Sequence, residues 1–101
     1  MTVNDEEFFM RLNGILNDPG DTVVTVTEDI KPGETVYYLS GREALSVKAL
    51  SHIPIYHKVA VASVSRGLEV RKYGEKIGVA LCDFKAGEHV HEHNLGSRLE
   101  D

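Results

Sequence analysis

Val24-Thr25-Val26-Thr27-Glu28-Asp29-Ile30-Lys31-Pro32-Gly33-Glu34-Thr35-Val36, Val59-Ala60-Val61-Ala62-Ser63-Val64-Ser65-Arg66-Gly67-Leu68-Glu69-Val70 and Val79-Ala80-Leu81-Cys82-Asp83-Phe84-Lys85-Ala86-Gly87-Glu88-His89-Val90 repeat one pattern. Each is a strand, an apolar residue three places before a glycine, and a second strand. The apolar residue (Ile30, Val64, Phe84) is an anchor that buries while the chain reverses, and the glycine supplies the backbone conformation a tight turn needs. With glycines at 33, 67 and 87 the spacing is too uneven for a solenoid. Short strands broken by corners predict a mostly β, compact domain.

Upstream of the repeats the pattern turns helical. Asn4 followed by Glu7 fits a capping-box variant, and Phe8, Leu12, Ile15 and Leu16 share one helical face. Asn17-Asp18-Pro19-Gly20 stops the helix. Gly14 counts against it, costing about 1 kcal/mol relative to alanine in a helix interior. The expected organisation is an N-terminal helical extension over residues 1–20 and a β domain over 21–101. The helix either covers one end of the β core or binds a partner.

At 101 residues, 42% of them apolar, the chain makes one modest core with little room to enclose a substrate as well. Any catalytic site is therefore expected to need a partner. The balance of 11 basic and 16 acidic residues offers no field for a polyanion, which argues against nucleic acid as a ligand. Cys82 is the single cysteine, so no disulfide framework exists, and a cytoplasmic protein is expected. Its apolar setting predicts a buried, inert thiol. The acidic N-terminus does not read as a secretory signal, and no apolar stretch reaches membrane-spanning length.

Chemistry concentrates in Gly87-Glu88-His89-Val90-His91-Glu92-His93-Asn94. On an extended strand His89, His91 and His93 project from one face, with Val90, Glu92 and Asn94 turned away. Neutral imidazole is the commonest metal ligand and titrates near neutral pH, so the row suits a metal, a carboxylate or a proton. Three histidines on a flat strand do not by themselves make a facial triad; a bulge or an outside ligand would help them converge. The competing reading is a solvated strand.

Ile53-Pro54-Ile55-Tyr56-His57-Lys58-Val59-Ala60, Gly67, Val70-Arg71-Lys72-Tyr73-Gly74-Glu75-Lys76-Ile77-Gly78 and Phe84 to Asn94 come in an order and spacing that resembles the N-terminal SAF domain of the altronate/galactarate dehydratase family, which includes the small subunit of sulfolactate sulfo-lyase. The resemblance covers residues 53–94, and more loosely the strands at 23–38. Lys-Ala-Gly-Glu and Lys-Tyr-Gly are weak signals alone, whereas the ordered set ending in His-Val-His-x-His-Asn is specific. Tyr56 stands where the family usually has glycine before His-Lys.

The resemblance implies a β-clip fold and a part in a lyase acting on sugar acids or related hydroxy acids. It also implies a divalent metal, iron or manganese, and a large dehydratase subunit or domain as partner, so that this chain is not active alone. In such chemistry a proton leaves the carbon next to a carboxylate and a hydroxyl leaves the next carbon, which takes a base, an acid and something to hold the carboxylate. His91 and His93 are the expected catalytic residues, with His89, His91 and His93 as metal ligands. His57, Lys58, Lys72, Tyr73 and Asn94 are the substrate-binding candidates. Each has a bland alternative: His57 as a surface residue, Arg71-Lys72-Tyr73-Gly74 as a solvated turn, Asn94 as the residue that fixes the turn after the strand. His52 reads as structural or exposed. A non-catalytic module binding a sugar acid, a metal or another protein remains the alternative function. Edge strands of a small β domain also leave a homo-oligomer open.

Overall fold

A computed structural model describes residues 5–99. The described residues are mostly β, with one short helix and three small antiparallel sheets. Helix α1 is Asp5–Arg11. The strands are β1 Gly14–Ile15, β2 Val23–Val26, β3 Thr35–Ser40, β4 Glu43–Lys48, β5 Lys58–Ala60, β6 Glu69–Lys72, β7 Glu75–Ala80, β8 His89–Val90 and β9 Leu95–Gly96. They pair as β1-β2-β5-β8, as the hairpin β3-β4, and as β6-β7-β9.

All three repeats close as the sequence predicts. Glu34, Leu68 and Glu88 donate their backbone N–H to Lys31, Ser65 and Lys85 at 3.0, 3.0 and 3.1 Å. The intervening glycines have φ of +87°, +87° and +97°, the left-handed conformation that a type II turn demands at its third residue. Each corner also sets two residues against one. Gly33 N–H donates to Ala49 and Ala49 N–H to the Glu34 carbonyl, and the same exchange joins Gly67 and Leu68 to Ala80, and Gly87 and Glu88 to Ala60. These are glycine-led β-bulges, which bend the strand sharply enough to fold short segments around a small core.

A fourth corner escaped the glycine pattern. Ile53 is its buried anchor, His57 N–H donates to Pro54 at 2.9 Å, and Tyr56 with His57 exchanges hydrogen bonds with Val26. Tyr56, at φ +67°, occupies the position that glycine fills in the other three. The corners then pair through their anchors, Ile30 with Ile53 and Val64 with Phe84. The first pair sits in one apolar cluster with Val24, Val36 and Val59, the second in another with Val23, Val70 and Val90. Burial of each anchor contributes about 2 kcal/mol.

Two local expectations are corrected. The helix stops at Arg11 rather than running to Leu16, and the proposed cap Asn4 lies outside the described residues. Asn13 ends it by binding β3: its Oδ1 accepts from Tyr37 N–H at 2.7 Å and its Nδ2 donates to the Thr35 carbonyl at 3.2 Å. Gly14 is then a strand residue under close packing, since a Cβ there would lie 2.7 Å from both Val24 and Val36 methyls. Cys82 is exposed, because β7 ends at Ala80 and the thiol falls on the bend that follows.

Candidate functional site

The fourth corner delivers His57 to the start of β5, and β5 pairs with β8 through Lys58 opposite Val90 and Val59 opposite His89. That register puts His57 across from His91. The strand expected to carry all three histidines stops at Val90, because Asn94 folds the chain back. Its Oδ1 accepts from His91 N–H and its Nδ2 donates to the His89 carbonyl, both at 2.9 Å, with the side chain only 4% exposed. The Asn94 and Leu95 N–H groups then both donate to the His91 carbonyl.

The turn regroups the imidazoles. His91 stacks on His57 with ring centroids 4.4 Å apart, and His57 Nδ1 lies 2.9 Å from His89 Nε2. Among the described residues, His57, His89 and His91 form the one group of His, Cys, Asp or Glu side chains whose ligating atoms all lie within 4.8 Å of one another. His93 is left outside that group, exposed, its ring tilted 40° against that of His89. Glu92 is also exposed and outside it.

Burial pushes the His89 pKa down to about 4, reinforced by His57, His93, His91 and His52 around it. His57 is lowered as well, by burial first and then by His91, Lys58 and His52. Both rings are therefore neutral at pH 7. Neutral rings supply the N–H and the lone pair that the contact between His57 and His89 needs, and neutral imidazole is the ligating form. The donor set fits a divalent ion: the 2.9 Å nitrogen separation matches the roughly 3 Å between neighbouring ligands about 2.1 Å from a metal at right angles. Three nitrogens without a carboxylate leave further positions for oxygen ligands from elsewhere.

Lys58 stands next to His57, half-buried. Lys72 and Tyr73 lie apart from the cluster. β6 touches the beginning of β2, where Thr22 and Arg71 exchange hydrogen bonds, whereas His57 abuts Val26 at the other end, about 13 Å along the strand. Lys72 is buried, with Nζ 2.7 Å from Asn17 Oδ1 and 4.1 Å from the centre of the Tyr73 ring. Asp21 clamps this hairpin tip, accepting from Tyr73 N–H at 2.9 Å and Gly74 N–H at 2.8 Å. Asn17 reads from sequence only as part of a helix stop, and Asp21 carries no signal of its own; polar residues before a strand give no sign of which distant turn they will hold.

Beside the cluster opens a cavity of about 480 Å³, into which His89, His93, Asn94, His52, Asp83 and Glu88 all face. His52 Nε2 is 2.9 Å from Asp29 Oδ2. Nothing in the sequence linked these two, 23 positions apart.

The family model described as the altronate/galactarate dehydratase SAF domain matches residues 12–98. The (2R)-sulfolactate sulfo-lyase subunit alpha of Chromohalobacter salexigens is 30% identical over 92 residues, covering 88% of this chain and 98% of that subunit. The altronate dehydratase of Bacillus subtilis is 33% identical over 80% of this chain, and that of Escherichia coli 49% over 45% of it. The chain spans only 16% and 9% of the length of those two enzymes. One relative thus matches this domain almost end to end as a subunit, while others carry it as a small part of a longer chain. With the four-cornered β fold and a family match running from Leu12 to Arg98, this chain belongs to the altronate/galactarate dehydratase SAF domain family.

Proposed function

We propose that this chain is the small subunit or N-terminal domain of a sugar-acid dehydratase or related hydroxy-acid lyase in the cytoplasm, and that it brings its histidine cluster to an active site completed by a large subunit or domain. The observation that carries the reading is the convergence of His57, His89 and His91 within 4.8 Å. These three would hold a divalent ion, iron or manganese. Such an ion supplies positive charge where a substrate carboxylate and its enediolate develop negative charge. Lys58, next to His57, adds a second positive charge at the rim. His93, outside the ligand group and facing the cavity, is free to move a proton to or from the departing group. Asn94 positions both His89 and His91 through the backbone.

Co-purification with the large subunit is the test. The complex should dehydrate altronate or galactarate, or act on (2R)-sulfolactate, in a metal-dependent way, and His91→Ala should lower kcat at least 100-fold. Wild-type activity in His91→Ala would remove the cluster from the mechanism. Metal content of the untagged chain gives an independent readout: no bound ion after incubation with iron, manganese or zinc would reject the ligand role.

A further inference from the structure

We propose that His52, oriented by Asp29, is the base that removes the proton from the carbon next to the substrate carboxylate. This rests on the lyase reading above. The cavity beside the cluster is faced by three histidines, and their situations differ. His89 Nε2 is committed to His57 and belongs to the ligand group. Among the described residues no carboxylate orients His93, which meets only the tilted ring of His89. His52 has its Nε2 2.9 Å from Asp29 Oδ2, which orients the ring and leaves Nδ1 as the nitrogen to accept a proton.

The other titratable groups facing the cavity are poorly suited to the task. Asp83 Oδ1 accepts from Arg66 N–H at 2.7 Å and Glu88 Oε2 from Lys85 N–H at 3.0 Å, so both carboxylates cap corners. Cys82 faces the same space from its bend, but among the described residues no base is in hydrogen-bond contact to activate it. His52 and the ligand His89 line one and the same cavity. A substrate held at the cluster therefore has this ring within the same hollow. On this chain alone His52 and Asp29 are 53% and 61% exposed. A pair so open to water has little strength, and coverage by the large partner would strengthen it.

The step balances without a further reactant. The C–H bond breaks and its proton goes to His52 Nδ1. The electron pair forms the carbon–carbon double bond, and the leaving group departs from the next carbon. Where that group is hydroxide it takes a proton from His93 and leaves as water, and the proton on His52 passes to solvent or back to His93 to reset the site. Where it is sulfite the same base is required.

The experiment uses the complex with the large subunit, assayed on altronate, galactarate and (2R)-sulfolactate. It compares wild type, His52→Gln and Asp29→Asn, with a zinc titration of each chain alone as second readout. His52→Gln should lower kcat at least 100-fold and abolish exchange of the substrate's α-hydrogen with deuterated water, while KM and zinc affinity stay within about twofold. Asp29→Asn should lower kcat about tenfold while KM and zinc affinity also stay within about twofold. Wild-type kcat or undiminished hydrogen exchange in His52→Gln overturns the assignment even where the lyase reading stands. An inactive wild-type complex overturns that reading and this one with it, and a loss of zinc affinity in His52→Gln shows that His52 acts through the metal site instead.

Discussion

Tyr56 offers a direct test of the four-corner architecture. Its φ of +67° costs an L-residue about 1–2 kcal/mol relative to ordinary backbone. The ring recovers little of this, being 71% exposed. Glycine removes the steric penalty but returns about 0.5–1 kcal/mol through the greater freedom of the unfolded chain. Tyr56→Gly should therefore stabilise the domain by about 0.5–1 kcal/mol, a rise in Tm of about 2–8 °C for a chain of this size. Tyr56→Ala keeps a Cβ in the left-handed conformation and should stay within about 0.5 kcal/mol of wild type. Urea unfolding followed by circular dichroism resolves the three proteins if m is unchanged. The reverse substitution in an equivalent corner completes the set: Gly87→Ala places a Cβ against the Lys48 carbonyl at φ +97°, and should cost at least about 2 kcal/mol. If Tyr56→Gly is no more stable than Tyr56→Ala, Tyr56 is not the glycine position of a fourth corner and the equivalence fails.

Two further outcomes follow from the cluster. The metal-free domain should lose stability as pH falls from 6.5 towards 4, because His89 stays neutral in the folded chain while it takes up a proton in the unfolded one. Above pH 6.5 neither state is protonated and the term vanishes. The full displacement to about 4 corresponds to roughly 3 kcal/mol, reduced by solvent screening at this half-buried ring to about 1–2 kcal/mol; urea midpoints that do not change between pH 7 and 4.5 would contradict the neutral cluster. Asn94→Ala leaves His91 N–H and the His89 carbonyl without their side-chain partner, and should cost about 2–4 kcal/mol and weaken zinc binding at least tenfold, as read by denaturation and calorimetry.

The fold was legible where local chemistry alone determines geometry. An apolar anchor three residues before a glycine specifies a corner through sterics, and all three corners so marked are present. The fourth was hidden because tertiary contacts hold Tyr56 where its own preference would not put it. The resemblance had marked that position as one usually held by glycine, and φ +67° supplies the physical reason. Helical periodicity misled over Leu12–Leu16 for a similar cause. An apolar stripe at that spacing also serves a short strand, and the Asn13 side chain, bound to β3, decides between them. Apolar neighbours would bury Cys82 only if the strand reached it, and β7 ends two residues earlier, at Ala80.

The histidine row fails as a flat strand for a reason that also makes it useful. Same-face neighbours on a strand are about 6.6 Å apart, too far for imidazoles held parallel to share one small ion. The His89 and His91 rings stay nearly parallel with centroids 5.7 Å apart, and two devices build the group around them. Asn94 stops the strand after Val90 and turns His91 inward, which was readable as a turn-fixing asparagine. His57 arrives from the neighbouring strand at a bulge, which was not readable, since its approach depends on the register of β5 against β8. The cluster therefore draws its third member from the corner whose backbone is strained, so the stability of that corner and the placement of His57 are one structural problem. A variant that relaxes Tyr56 without moving His57 should leave zinc affinity unchanged, whereas one that unlocks the corner should lose affinity and stability together.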